Sequence, residues 1–302
     1  MTLKELAYLV AVADHCHFGR AAQSCHVSQP TLSTQLKKLE QRLDVSLVER
    51  TNKNVHLTAV GEQIVVRARE ILANADSIVA LAKMQSSELV GAFNLGLIPT
   101  LSPYVLPWIA PLLNKNFRKL NLIVHEDITR ELIIKLKEHR LDALLLALPI
   151  EDQSFETQAI FDEPFWFACH KSHHLAEKKT ISQSSLKSEA LLLLNEGHCL
   201  RDQALEVCGT TPGNMNLKTD FRASSLETIR QMVQAGWGAT LLPALTIEKQ
   251  QNRDMVFKPL SRPAFRRVGL VWRTGFPKRD ELLKLADVIR QNLPESVSIS
   301  DR

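Results

Sequence analysis

The sequence predicts an α/β protein in three parts, and three patterns predict it. Short amphipathic helices come first, one long helix with a heptad seam follows, and from Gly91 onward apolar strands alternate with helical stretches. The chain has 302 residues, 45% hydrophobic and 23% charged, which is ordinary for a globular protein of about two or three domains.

The first helix is expected from about Thr2 to Ala13, because Leu3, Leu6, Val10 and Ala13 recur at helical spacing. A second begins near Phe18, buries Ala21 and Ala22, and stops around His26 and Val27. Ser28 then caps a third helix whose first turn tolerates Pro30. Leu32, Leu36, Leu39 and Leu43 form its buried stripe, leaving Gln29, Thr31, Ser33, Thr34, Gln35, Lys37 and Lys38 opposite. Glu49 to Leu57 reads as a small hairpin with a polar tip. Thr58 caps the long helix, where Ile64, Ala68, Ile71, Ala75, Ile78 and Ala82 make a heptad seam widened by Val65, Leu72 and Val79. So uncharged a seam calls for a partner helix, most simply from a second copy; packing on the chain's own later domain is the alternative.

Strands are expected at residues 93–98, 120–125, 142–148, 165–169, 190–194, 238–243 and 268–272. With helices between several of them, they suggest mainly parallel pairing, with ligands bound beyond the strands' carboxyl ends.

Net charge is only +4, so no global charge argument points to nucleic acid or membrane. Within residues 1–60, seven basic residues face five acidic ones, again weak support for a nucleic-acid partner. The order of elements says more: two helices joined by a tight turn, the second with a polar face, suit the major groove. Gln29, Thr31, Ser33 and Thr34 offer hydrogen bonds to bases, while Arg20, Lys37, Lys38, Arg50 and Lys53 could hold phosphates. Five cysteines do not form a secreted disulfide framework and suggest a reducing, cytoplasmic setting. Glu5 ahead of the short apolar run at the start argues against a leader, and no apolar stretch approaches the roughly 20 residues of a membrane span. No internal repeat, low-complexity segment or phosphate-binding glycine loop stands out. Cys16, His17, Cys25 and His26 do not match usual zinc spacings, so no metal and no cofactor are expected.

Cys199 and Cys208 bracket a segment with Leu200, Ala204 and Val207 on one helical face. As a helix, it would hold the two cysteines on opposite sides and about 13 Å apart along the axis. A disulfide needs Cα atoms within about 7 Å. The pair is therefore two unrelated thiols or a switch that must refold to close. A position just after the Asn195-Glu196-Gly197 turn, near a helix N-terminus and beside Arg201, would favour the Cys199 thiolate.

The run FGRAAQSCHVSQPTLSTQLKKLEQRLDVSLVERT resembles the N-terminal winged helix-turn-helix of LysR-type transcriptional regulators. The likeness extends over essentially the whole chain and includes SSLETIRQMVQAGWGATLLP. It implies a winged helix-turn-helix over residues 1–58, a dimerising linker helix over 59–90, and a two-subdomain, periplasmic-binding-protein-like effector domain over 91–302. In that frame subdomain I takes 91–162 and 268–302, and subdomain II takes 163–267. Gln29, Pro30, Thr31, Ser33, Thr34, Lys37, Arg50 and Thr58 match positions at or near DNA. Asp44 departs from the glycine usual after the recognition helix, although Asp accepts left-handed geometry at modest cost.

EGHCLRDQALEVC, with IPTLSPYVLP before it and FRASSLETIR after it, is similar to the peroxide-sensing members of that family. The resemblance implies a peroxidatic Cys199, a resolving Cys208, and a peroxide pocket of Thr100, Thr129, His198 and Arg266. Cys169 has no matching role and reads as packing. The same resemblance implies a cytoplasmic activator of oxidative-stress genes that binds double-stranded operator DNA, works with RNA polymerase and responds to hydrogen peroxide. A glutaredoxin- or thioredoxin-type reductant would reset it, and a homotetramer, a dimer of dimers, would carry the switch; no enzymatic turnover and no membrane partner are implied. A metabolite-responsive regulator with incidental cysteines and a thiol peroxidase with an accessory helical domain are the competing readings.

Overall fold

The computed structural model describes residues 1–50, 55–82, 89–189, 191–209, 222–247 and 254–300. It divides into two units, Met1–Ser87 with Lys137–Arg140, and Glu88–Leu136 with Leu141–Arg302.

In the first unit Thr2 and Glu5 cap each other reciprocally, which starts α1 (Leu3–His15). The helix runs past the expected Ala13, because Cys16 closes it in the left-handed conformation with φ 47°. The His17 ring accepts the Gly19 and Arg20 amides and so starts α2 (Phe18–Ser24), which ends before the expected His26. Ser28 caps α3 (Gln29–Leu43), and Asp44 ends it with φ 52°, the left-handed geometry reached without glycine. Leu32, Leu36 and Leu39 are fully buried against Leu6, Leu9 and Val12 of α1. The antiparallel pair β1 (Val48–Arg50) and β2 (Val55–Leu57) forms the hairpin; the expected polar tip at 51–54, with Lys53, lies outside the described residues. Thr58 Oγ1 donates to the Ser46 carbonyl and accepts the Gly61 amide, tying the hairpin to α4 (Ala59–Ala82). Glycine is required at 61, where a Cβ would collide with the Leu47 carbonyl. Val65 and Ala68 of α4 are buried in the same core, whereas Ile71 and Ile78 are exposed.

The second unit begins with β3 (Gly91–Leu97), α5 (Ser102–Asn116), β4 (Leu120–Glu126), α6 (Thr129–Lys137) and β5 (Ala143–Leu148). A 16-residue strand, β6 (Phe155–His170), leads to α7 (Gln183–Lys187), β7 (Leu193–Leu194), α8 (Cys199–Cys208), β8 (Arg222–Ala223) and α9 (Leu226–Gln234). β9 (Ala239–Pro243), β10 (Met255–Pro259), β11 (Phe265–Arg273), α10 (Arg279–Arg290) and β12 (Ser298–Ile299) complete it.

The expectation of mainly parallel strands is corrected. β3 lies parallel to β4 and β5, and β7 to β8, but β11 runs antiparallel to β5 and β6, as do β9, β10 and β12 to β6. Continuous apolar runs report burial on both faces, not direction. β6 carries the chain out of one hydrophobic core and β11 brings it back, so the two must run opposite ways. Phe155, Ile160 and Phe161 belong to the first core with Val268 and Trp272; Phe165, Phe167 and Cys169 belong to the second with Leu241 and Ile229. The segment expected at 165–169 is thus only the far half of β6. Its near half, FETQAIFDEP, is too polar to announce itself. The strand expected at 190–194 shrinks to Leu193–Leu194, with Ala190 outside the described residues.

Candidate functional site

α8 starts from Gly197, whose φ of 94° suits glycine and whose missing Cβ would sit 3.3 Å from Ile128 Cδ1. That close approach sets His198 and Cys199 beside the start of α6. Cys199 is the first residue of α8 and Cys208 the last, and Gly209 caps the helix with φ 63°. The helix also bridges the two cores: Cys199 packs partly buried against the first, and Cys208, 1% exposed, lies within the second. Both are free thiols, and the ten residues of intact helix hold them about 13 Å apart along its axis.

A buried charged cluster supports the Cys199 end. Arg266 of β11 faces Glu163 of β6 in cross-strand register, and its Nε donates to Glu163 Oε2 at 2.8 Å. The same guanidinium donates to Thr100 twice, to Oγ1 and to the carbonyl, each at 3.1 Å. The remaining Glu163 oxygen accepts the Leu245 amide at 2.9 Å. Thr100, Glu163 and Arg266 are all buried, so each polar atom needs these partners. Thr129, the first residue of α6, buries a hydroxyl that acts on the Cys199 thiol.

Burial pushes the Cys199 thiol above its ordinary pKa, opposed by the Arg266 guanidinium, the Thr129 hydroxyl and the Leu200 amide. This corrects the expectation of a favoured thiolate with help from Arg201. Desolvation outweighs the helix N-terminus, and Arg201 instead lies 3.4 Å from Glu196. Burial lowers the pKa of His198, which keeps its ring neutral, and its side chain makes no capping bond. Cys208, with nothing to offset desolvation, is pushed up to about 11. Thr129 and Arg266 therefore act on Cys199, Thr100 holds the same guanidinium, and His198 is the neighbour in sequence. Sequence reasoning missed Glu163, the group that holds Arg266 in place. Glu163 follows Asp162 in the polar near half of β6, so no local signal in the sequence singled it out.

In the other unit Gln29, Pro30, Thr31, Thr34 and Lys37 are exposed on α3, Ser33 is half-buried, and Arg20 is exposed on α2. Thr31 hydrogen-bonds Ser28 at 2.7 Å, and Arg50 closes β1. The hydroxyl of Thr58 is already engaged on both sides by its capping contacts.

His173, His174 and Glu189 offer ligand atoms within 4.8 Å of one another. The Leu175 amide donates to His173 Nδ1 at 3.2 Å, which puts that ring's proton on Nε2, 3.4 Å from Glu189. That Nε2 is a donor with no lone pair for a metal, so the trio braces the turn after β6.

Residues 3–62 match the bacterial regulatory helix-turn-helix protein, lysR family, and residues 86–294 match the LysR substrate binding domain. The chain belongs to the LysR family. Against the DNA-binding transcriptional dual regulator OxyR of Escherichia coli K12, this LysR-family chain is 44% identical over 97% of its length and 96% of the relative's. It superposes on full-length OxyR from Pseudomonas aeruginosa with TM-score 0.82 at 40% identity, covering 96% of this chain and 98% of the other. Structures of OxyR in its reduced and oxidised forms each match with TM-score 0.61 at 41% identity, covering 67% and 68% of this chain and 95% and 97% of theirs. Membership means a helix-turn-helix transcription regulator, a class distinct from enzymes. Among the described residues, no helix is long and apolar enough to cross a membrane.

Proposed function

We propose that this LysR-family regulator is a hydrogen-peroxide sensor that binds operator DNA and is switched by a Cys199–Cys208 disulfide. One observation carries the reading: a thiol at the first position of α8, acted on by a buried guanidinium and a buried threonine hydroxyl. That hydroxyl, with Thr100 and the neutral His198, supplies the donors and acceptors a small hydroperoxide needs, while Arg266 supports the thiolate. The Cys199 sulfur attacks one peroxide oxygen, the O–O bond breaks, and the other oxygen leaves as water. Cys208 then attacks the resulting sulfenic acid; an S–S bond forms and the hydroxyl leaves as a second water. The identity to OxyR and the solved reduced and oxidised forms of OxyR support this reading.

The disulfide forms only when α8 opens. Closing so short a loop stabilises by about 2–4 kcal/mol, whereas moving a two-state equilibrium from 1:99 to 99:1 takes about 5.5 kcal/mol. Loss of the packing of α8 supplies the rest and repacks the effector region. The working division is residues 1–58 for DNA, 59–90 for dimerisation and 91–302 for sensing, in a cytoplasmic dimer of dimers. RNA polymerase would read the change and a glutaredoxin- or thioredoxin-type protein would reverse it. Gln29, Pro30, Thr31, Ser33, Thr34, Lys37, Arg50 and Thr58 form or support the DNA surface.

The test is footprinting on the DNA upstream of the protein's own gene, with and without peroxide, alongside thiol counting. Wild type should lose two thiols per chain and change its footprint; Cys199→Ser should bind DNA but do neither. A Cys199→Ser protein that still switches with peroxide would overturn the assignment, and an unchanged thiol count would favour a metabolite-responsive regulator.

A further inference from the structure

α7 lies beside the last turn of α8, and Gln183 Nε2 donates to the Val207 carbonyl at 2.9 Å. The last carbonyls of a helix have no acceptor duty inside it, so an outside donor there holds the end of the helix. The Gly209 amide returns to Glu206 and Leu205, leaving the Val207 carbonyl to Gln183. Gly209 also permits the approach: a Cβ at this residue would sit 3.0 Å from Gln183 Nε2 and 3.1 Å from Lys187 Cε. α7 is itself anchored. Ile181 and Leu186 are buried in the core that holds Cys208, and Ile181 exchanges backbone hydrogen bonds with Pro259 and Ser261. Ser182 caps α7 through the Ser185 amide. Gln183 is therefore a donor on a fixed ledge, one residue away from the buried Cys208.

We propose that Gln183 is a positioning residue, a clasp through which α7 holds the Cys208 end of α8 closed and sets how readily the disulfide forms. The proposal rests on the Cys199–Cys208 disulfide switch. Cys199 sits among the groups that act on its thiol, so Cys208 is the sulfur that must travel. To do so it leaves its core and unwinds the last turn, and the Gln183–Val207 bond breaks with it. The clasp exists only in the dithiol form, so removing it shifts the equilibrium toward disulfide, in which two glutathione thiols reduce the bridge to Cys199 and Cys208 thiols and become glutathione disulfide.

The experiment is a glutathione redox titration of the full chain, with free thiols trapped by alkylation and counted by mass. Gln183→Ala should favour the disulfide by about five-fold, the effect of one net side chain–backbone hydrogen bond. Gln183→Lys, which restores a donor, should return toward wild type. Thermal unfolding provides the readout a merely structural role would not give: Gln183→Ala should lower the midpoint of the reduced protein and leave the oxidised one unchanged. Equal loss in both forms with an unmoved titration overturns the clasp while the switch stands. A wild-type chain that forms no Cys199–Cys208 disulfide overturns both.

Discussion

Arg266 and Glu163 form an ion pair with both side chains fully buried, at 2.8 Å. Removing one partner leaves the other charge stranded without water, typically a loss of about 3–5 kcal/mol. Glu163→Gln should therefore lower the thermal midpoint by on the order of 10 °C, read by calorimetry. The pair Glu163→Leu with Arg266→Met removes the stranded charge but leaves the Leu245 amide and the Thr100 oxygens without these partners, so it should recover only part of that loss. It should not recover peroxide reactivity, which separates the stabilising role of Arg266 from its electrostatic one.

Reactivity at Cys199 should rise with pH beyond the ordinary thiol range, because burial holds the proton on. The Arg266 cation opposes burial, so Arg266→Met should move the profile of peroxide-driven thiol loss to still higher pH and slow it near neutrality. Stopped-flow thiol loss across the alkaline range checks both directions. A profile unmoved by Arg266→Met would separate Arg266 from the thiol.

Cys208 links stability to pH. Its folded pKa is raised from 9.0 to about 11, so between these values the unfolded chain releases a proton that the folded chain keeps. Unfolding is thereby favoured as pH rises through that window, while below it the group contributes no pH dependence. Denaturant midpoints of the reduced protein should fall more steeply over this range than those of Cys208→Ser.

Lys37 and Gln29 should separate affinity from specificity. With Lys37 proposed to hold a phosphate, Lys37→Ala should weaken binding on all sequences and shrink the salt slope of log K by about 0.9. Gln29→Ala should cost about 1–3 kcal/mol at one base position and relax the preference there. Salt-titrated binding to operator and scrambled duplexes distinguishes the two.

Ile71 and Ile78, seven residues apart on α4, are 40% and 67% exposed. As a helix-pairing seam they predict that Ile78→Asp weakens self-association by about ten-fold or more, measured by sedimentation. An unchanged oligomer would assign the seam another role.

Much of the first unit is legible because its signals are local. Thr2 with Glu5, Ser28 before Pro30, and the leucines of α3 act within one or two turns, and the structure moves only the helix ends. Those ends shifted for local reasons too, such as the left-handed Cys16 and the ring of His17 used as a cap. The second unit hid more. The near half of β6 carries Glu156, Asp162 and Glu163, and their partners Arg279, Arg267 and Arg266 lie more than a hundred residues away. No window of sequence contains such a pair.

By itself the sequence determined the succession of short helices, one long helix and then alternating strands and helices, the polar face of α3, and a segment of helical pattern bracketed by Cys199 and Cys208. Those follow from periodicity and capping, which act between near neighbours. Only the tertiary structure decided that the two thiols lie against different cores, that desolvation outweighs the helix terminus at Cys199, and that Gln183 closes the far end. Burial and long-range hydrogen bonding depend on which distant segments meet, and the crossing of β6 and β11 between the two cores brings them together.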